Sequence, residues 1–284
     1  MSIKIKLSGG LGNQMFQFAA GYAVARKNNV ELSLDLKRFN HRFDHGGFQL
    51  QYVFDIYSKV NFLNNPANFR FLNLKEILNK INIRNHKFKE PHFHYTHDIL
   101  NIPKHSFLEG YWQSELYFMS YAKEIKEIYT FSNNLNKKNT LIANDIIQNN
   151  SISIHIRRGD YLLKNNDNLN VDLNEYYLKA VKESSKCFIN PKYFIFTDDP
   201  LWVKKNFIIE YPYIVVDVNH GLNSFFDMHL MSLCKVNILA NSSFSWWSAW
   251  LNNNLNKVVY SPKKWFKDKS ICTNDLIPSS WNII

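Results

Sequence analysis

From Ser151 onward the chain alternates short apolar strands with segments patterned as helices, and this alternation constrains its fold more than any other feature. Ile152, Ile154 and Ile156 recur with period two, which predicts a strand. Asn174 to Lys186 carries Tyr177, Leu178, Val181 and Lys182 in helical register. Tyr193 to Phe196 is a continuous apolar run ending in Thr197, Asp198, Asp199 and Pro200. It reads as a buried parallel strand whose carboxylates emerge at its C-terminal end. A strand over 213–218, a helix over 225–236, a short strand over 236–240 and a last strand over 258–261 continue the pattern. Between the last two strands, Asn241, Ser242 and Ser243 cap a helix, SFSWWSAWL. Repeated βα units predict a parallel sheet covered on both faces. Ligands of such sheets bind beyond the C-terminal strand ends, where His155, Arg157 and Asp198 fall.

The strand SISIHI runs into Arg157, Arg158, Gly159, Asp160 and Tyr161. His155 and Arg157 are two apart and point the same way. An imidazole and two guanidiniums aimed into a turn suit an anion such as phosphate. A helix N-terminus bearing the hydroxyls of Ser242, Ser243 and Ser245 suits phosphate oxygens as well. Together they point to a diphosphate.

The N-terminal part opens with a strand in which Ile3, Ile5 and Leu7 alternate with Lys4 and Lys6. Gly9-Gly10-Leu11-Gly12-Asn13 follows, then a helix with Phe16, Ala19, Ala20, Ala23 and Val24 on one side, then a strand over 30–36. This β-turn-α-β unit half fits a dinucleotide fingerprint with Asp35 as the ribose acid, but Met15 stands where the third glycine belongs. Asn13 and Gln14 offer amides to hydroxyls or phosphates. His41, Arg42, Asp44, His45, Gly46 and Gly47 form a polar loop. Residues 68–81 read as a helix. His86, His92, His94 and His97 read as a loop-rich surface rather than a metal site. A strand from His105 ends in Tyr111, Trp112, Gln113, Ser114 and Glu115, a mixture suited to a sugar-binding wall. Residues 123–150 read as helical, with the domain boundary near 140–150, giving domains of 1–145 and 146–284.

At 284 residues the chain exceeds a comfortable single core. Its net charge of +10 suits an anionic substrate, an acidic membrane surface or nucleic acid. Three widely spaced cysteines argue against a disulfide framework and a zinc site. No stretch is long and apolar enough to span a bilayer, and the start has no signal-peptide pattern. The expectation is a cytoplasmic protein, at most peripheral on the inner face of the membrane.

GGLGNQMFQFA (9–19), HIRRGDY (155–161), FTDD (196–199) and NSSFSWWSAWL (241–251), in this order, resemble the bacterial and animal α-1,2-fucosyltransferase family, glycosyltransferase family 11. The resemblance implies a GT-B-like α/β fold of two Rossmann-like domains facing a cleft. It implies a GDP-β-L-fucose donor held by the C-terminal domain, and transfer with inversion. The acceptor would be the 2-hydroxyl of a galactoside, in an O-antigen or other surface polysaccharide or a lipid-linked glycan. By the same resemblance Arg157 holds the diphosphate, with Arg158 and Asp198 beside it. Ser242 and Ser243, next to Asn241, cap the phosphates; Asp227 reads guanine and His155 contacts the nucleoside. Gly10, Gly12, Asn13, Gln14, Trp112 and Glu115 are expected to face the sugars. Asp160 is the candidate general base, with Glu115 and Asp44 as others. The absence of any Asp-x-Asp leaves the leaving charge to arginine and a helix N-terminus, with no metal or other cofactor. Competing readings are a transferase of another GDP-6-deoxyhexose such as GDP-colitose, a nicotinamide oxidoreductase, and a glycan-binding protein without turnover. No nucleic-acid motif is present.

Overall fold

The computed structural model describes residues 1–40, 46–63, 86–131 and 134–284. The polar loop at 41–45, with Asp44, and the helix expected over 68–81 lie outside the described residues. The chain divides into two compact units. The first comprises Met1–Ser132 with Asn274–Leu276, the second Asn133–Thr273 with Ile277–Ile284.

The first unit is built on five parallel strands: β1 (Ser2–Lys6), β2 (Glu31–Asp35), β3 (Asn61–Leu63), β4 (His86–Lys89) and β5 (Ser106–Glu109), in the order β3-β2-β1-β5-β4. Ile3 and Ile5 are buried while their neighbours are half-buried, as the alternation predicts. Helix α1 (Leu11–Asn28) lies tight on the sheet. A Cβ on Gly21 would come within 3.0 Å of both Ile5 and Leu32, so a side chain there would push the helix off its strands. The stretch at His86 is a strand rather than a loop. It pairs with β5 through its backbone, while its side chains are mostly exposed, so no apolar alternation marks it. The returning segment joins this unit through Ser114, whose hydroxyl donates to the Asp275 carbonyl at 2.6 Å, and through the Tyr95 N–H, which donates to the Asp275 carboxylate at 3.2 Å.

The second unit has six parallel strands: β6 (Asn150–Ile156), β7 (Pro191–Thr197), β8 (Tyr213–Val216), β9 (Val236–Ile238), β10 (Val258–Ser261) and β11 (Asn282–Ile283), in the order β11-β10-β9-β6-β7-β8. The stretch over 123–150 is not one helix but two, α2 (Ala122–Ile128) and α3 (Lys137–Gln148), on either side of the division between units. The division therefore falls at Ser132, earlier than 145. Ala143 and Ile146 of α3 pack on Phe194, Phe196 and Val216 of the second sheet, and this packing assigns the helix to the second unit. Helices α4 (Asn174–Ser185) and α5 (Pro200–Asn206) cover the other face, where Tyr177, Ala180 and Val203 meet Ile152, Ile154 and Ile156. Helices α6 (Phe225–Ser232) and α7 (Ser243–Leu251) complete the α3 face. Trp246, Trp247 and Trp250 of α7 are all buried.

In both sheets the strand order reverses. From β6 the chain builds outward through β7 and β8, then returns to lay β9 on the other side of β6. The same reversal occurs between β1 and β5. The carboxyl ends at such reversals are where an open α/β sheet leaves a crevice for ligand. No helix among the described residues is long and apolar enough to cross a membrane.

Candidate active site

The chemistry of the second unit gathers at the β6–β9 reversal. Arg157 leaves the end of β6 with its guanidinium between two carboxylates: Nη2 is 2.6 Å from Asp160 Oδ1 and Nη1 is 3.1 Å from Asp198 Oδ2. The side chain is 27% exposed. Burial works against its charge, and Asp198 and Asp160 more than offset this, so its pKa is raised. The Tyr161 ring lies 5.6 Å from the guanidinium carbon, and its hydroxyl donates to the Asn241 carbonyl at 3.0 Å. Burial pushes that phenol up to about 12, so it remains a donor.

Asp198 is a clamp rather than a ligand for phosphate. Its Oδ1 accepts the Arg158 backbone N–H at 2.9 Å while Oδ2 meets Arg157. A carboxylate placed there repels an anion and fixes the Arg157 cation. Arg158 stacks 3.6 Å over the Trp202 ring and reaches Asp199 at 3.4 Å. Asp199 in turn caps α5 by accepting the Trp202 N–H at 3.1 Å. Gly159 is required for space, not for a left-handed turn: a Cβ there would stand 2.6 Å from Asp198 Oδ2. Asp160, the expected base, is engaged on Arg157 and orients it.

His155 is buried, with its ring 5.7 Å from that of Phe244 and its Nδ1 without a hydrogen-bond partner among the described residues. Burial first, then Arg157, push its pKa down to about 3, so the imidazole is neutral. Ser242 caps α7 by accepting the Phe244 N–H at 3.3 Å, and Ser243 opens the helix, half-buried. Asn241 departs from the expectation. Its side-chain amide donates to the carbonyls of Leu169 at 2.8 Å and Trp265 at 2.9 Å, which ties two loops together instead of offering N–H groups to a donor.

Asp227 lies in the first turn of α6, on the sheet face that also carries His155 and Phe244. Its Oδ1 accepts from Asn219 at 2.7 Å, and Asn219 exchanges two amide bonds with Asn139 at 2.8 and 2.9 Å. Burial pushes the Asp227 carboxyl up to about 7 against the pull of Asn219. On the opposite face, a cavity of about 240 Å³ borders Arg157, Arg158, Tyr161, Tyr177 and Trp202.

In the first unit the reversal between β1 and β5 brings Gly10, Asn13 and the turn after β5 together. Gly9 takes the left-handed conformation at φ 74°. Gly10 precedes α1 at φ −75°, and Gly12 is buried within it. Asn13 is half-buried, and its Oδ1 accepts from Gln113 at 2.8 Å. Gln14 is buried, and its amide is spent on its own unit: it donates to the Gly9 and Gly47 carbonyls, each at 2.8 Å, and accepts the Gln49 N–H at 2.9 Å. Trp112 is fully buried too, stacked on Phe88 and edge-on to Tyr117, so its ring faces are core surfaces. Tyr111, 46% exposed, is the aromatic that this turn presents outward. Glu115 is half-buried in the short turn capped by Ser114. A carboxylate that sequence reasoning passed over holds the turn after β5: Glu90, which accepts the Tyr111 and Trp112 N–H groups. A single glutamate in the run KFKEPHFH carries no periodicity or spacing that would single it out.

The family model described as glycosyl transferase family 11 matches residues 2–284. The α-1,2-colitosyltransferase of Escherichia coli is 36% identical, over 99% of this chain and 98% of that protein. The Escherichia coli O-antigen biosynthesis glycosyltransferase WbnK is 33% identical, over 95% of this chain and 97% of that protein. Among solved structures, the fucosyltransferase NodZ from Bradyrhizobium superposes with a TM-score of 0.52 at 12% identity, over 87% of this chain and 92% of that one. At that identity the likeness speaks for the fold.

Proposed function

The chain belongs to glycosyl transferase family 11, and from that premise we propose that it transfers L-fucose from GDP-β-L-fucose to the 2-hydroxyl of a galactoside, with inversion. The fold is α/β and GT-B-like, and the chain is a glycosyltransferase. The observation that carries the finer reading is the Arg157 guanidinium, held by Asp160 at 2.6 Å and Asp198 at 3.1 Å at the strand end beside the start of α7.

The chemistry follows from that placement. As the bond from the sugar C1 to the β-phosphate oxygen breaks, negative charge grows on the departing GDP and the sugar becomes oxocarbenium-like. Arg157 and the partial positive charge of the α7 start stabilise the leaving group more than the intact donor, which is what lowers the barrier. The acceptor oxygen forms its bond to C1 from the opposite face, and its proton leaves to a base. Because Asp198 and Asp160 pre-orient Arg157, little reorganisation is needed as charge develops. Asp227 reads the guanine edge, and the neutral His155 offers a hydrogen bond to the nucleoside. With arginine and helix carrying the leaving charge, we propose that no metal is required.

A second donor is favoured by one observation: the relative at 36% identity is a colitosyltransferase. GDP-colitose shares the nucleotide and lacks one sugar hydroxyl, so the same diphosphate grip serves either. The name of the second relative supports an acceptor in a surface polysaccharide repeat. The charge of +10 supports a cytoplasmic place of work beside an anionic membrane. The test is a screen of GDP-sugars against galactosides with purified protein, the product linkage assigned by NMR. Turnover of GDP-fucose or GDP-colitose into an α-1,2 linkage is expected. Hydrolysis alone, or transfer to another hydroxyl, would sink the reading.

A further inference from the structure

Glu90 follows the outermost strand of the first unit, and its own N–H extends the ladder by donating to the Glu109 carbonyl at 2.8 Å. Its side chain turns inward over the end of β5. There its two carboxylate oxygens accept the adjacent N–H groups of Tyr111, at 2.7 Å, and Trp112, at 2.9 Å. These charge-assisted bonds hold a turn that is otherwise unfavourable, since Trp112 sits at φ 59°, in the left-handed region that residues with a Cβ disfavour. Gly110 is shaped for the same contact: a Cβ there would fall 2.5 Å from the Glu90 Cβ. The turn sends the Tyr111 ring outward and sets Gln113 to brace the Asn13 side chain at 2.8 Å. An exposed ring two residues along the turn from a paired amide is the chemistry that meets the C–H face and a hydroxyl of a sugar.

We propose that Glu90 is the positioning residue of an acceptor-sugar site formed by Tyr111 and Asn13 at the β1–β5 reversal. This rests on the transferase reading above. Glu90 acts through the turn: both oxygens are directed at backbone, and its strand lies at the edge of the sheet. Burial pushes its carboxyl up to about 7, while the two N–H bonds and then His92 pull it down. His92 is the titratable group that acts on it from its own segment, and Tyr117, on the segment after β5, feels its charge.

The test compares wild type with Glu90→Gln, which sets an amide NH₂ against one of the two N–H groups. Galactoside affinity is measured by titration in the presence of GDP, and acceptor KM, kcat and GDP affinity are measured alongside. Acceptor affinity should fall about tenfold, as expected for loss of a charge-assisted bond, with GDP affinity within twofold. If that variant does not fold, Tyr111→Ala, exposed and outside the core, must raise acceptor KM at normal GDP affinity. Unchanged acceptor binding in both variants, or a change in melting temperature alone, overturns the proposal while leaving transfer intact. Absence of galactoside binding by wild type overturns it together with the transferase reading.

Discussion

Asp198 holds Arg157 from the neighbouring strand end, its Oδ2 3.1 Å from the guanidinium, while its Oδ1 accepts the backbone N–H of Arg158 at 2.9 Å. One carboxylate thus fixes both the charge and the chain that carries it. Arg157→Ala removes the group proposed to stabilise the departing GDP, and kcat should fall about 10²–10³-fold, the range seen when one transition-state donor is lost. Arg157→Lys should not restore it, since an ammonium cannot span Asp160 and Asp198 as a planar fork does. Steady-state kinetics with a circular dichroism control decide. Near-normal turnover in the alanine variant would reject the central claim.

Gly159→Ala tests the clamp without touching either charge. The new Cβ, 2.6 Å from Asp198 Oδ2, must displace a side chain too short to move aside and already bonded twice. A drop in kcat of about tenfold is expected, corresponding to roughly 1.4 kcal/mol, with an unchanged far-ultraviolet spectrum. Asp198→Asn should fall in the same direction, because the amide presents an NH₂ to one of two donors. Full activity in Gly159→Ala would show that the arginine does not depend on the clamp.

With Asp227 as the proposed guanine reader, donor binding should be sensitive to pH. Its carboxyl is pushed up to about 7 by burial. A raised carboxyl contributes stability that is present at acidic pH and lost as pH rises through the folded-state value, so ionising it costs the apo protein. Guanine offers the N1–H and 2-amino donors that satisfy the ionised form. GDP affinity should therefore rise between pH 6 and 8, and Asp227→Asn should flatten that profile and weaken binding. Calorimetric titration of GDP across this range is the measurement; a profile equally steep in Asp227→Asn removes the residue from guanine recognition.

Where the fold was legible, an apolar period marks the face of an element that packs in the core. Ile3 and Ile5, and Ile152, Ile154 and Ile156, show the period because their strands are central and inward-facing. β4 was not legible, because an edge strand held by its backbone ladder needs no apolar side chains. The unit boundary was missed because sequence alone does not say which sheet the apolar residues of α3, Ala143 and Ile146 among them, cover. In the candidate site, the position of Arg157 at a strand end was readable from the sequence. The roles of Asn241 and Gln14 were not, because an amide on a loop looks the same whether it meets a ligand or ties down distant backbone. Leu169 and Trp265, which Asn241 joins, are 96 residues apart, and only the fold brings them together.

Metal dependence separates two ways of stabilising the same leaving group. With Arg157 paired to two carboxylates and α7 beginning at the neighbouring strand end, transfer should proceed at an undiminished rate in EDTA. Rates with and without chelator, and after adding Mn²⁺ or Mg²⁺, should agree within about twofold. A strict requirement for Mn²⁺ would contradict the assignment of leaving-group charge to Arg157.

Trp112 distinguishes a sugar wall from a core. Its ring is fully buried between Phe88 and Tyr117, and its backbone sits at φ 59°. Trp112→Ala leaves a cavity and keeps the strained backbone, so the loss should be in stability, about 3–5 kcal/mol. That should lower the melting temperature by several degrees or more and raise the susceptibility of the first unit to proteolysis. Tyr111→Ala, on the exposed side of the same turn, should leave melting nearly unchanged and act on acceptor KM instead. Thermal melts of the two variants beside their acceptor KM values test the assignment. A Trp112→Ala protein that melts like wild type but binds acceptor poorly would return the indole to the sugar site.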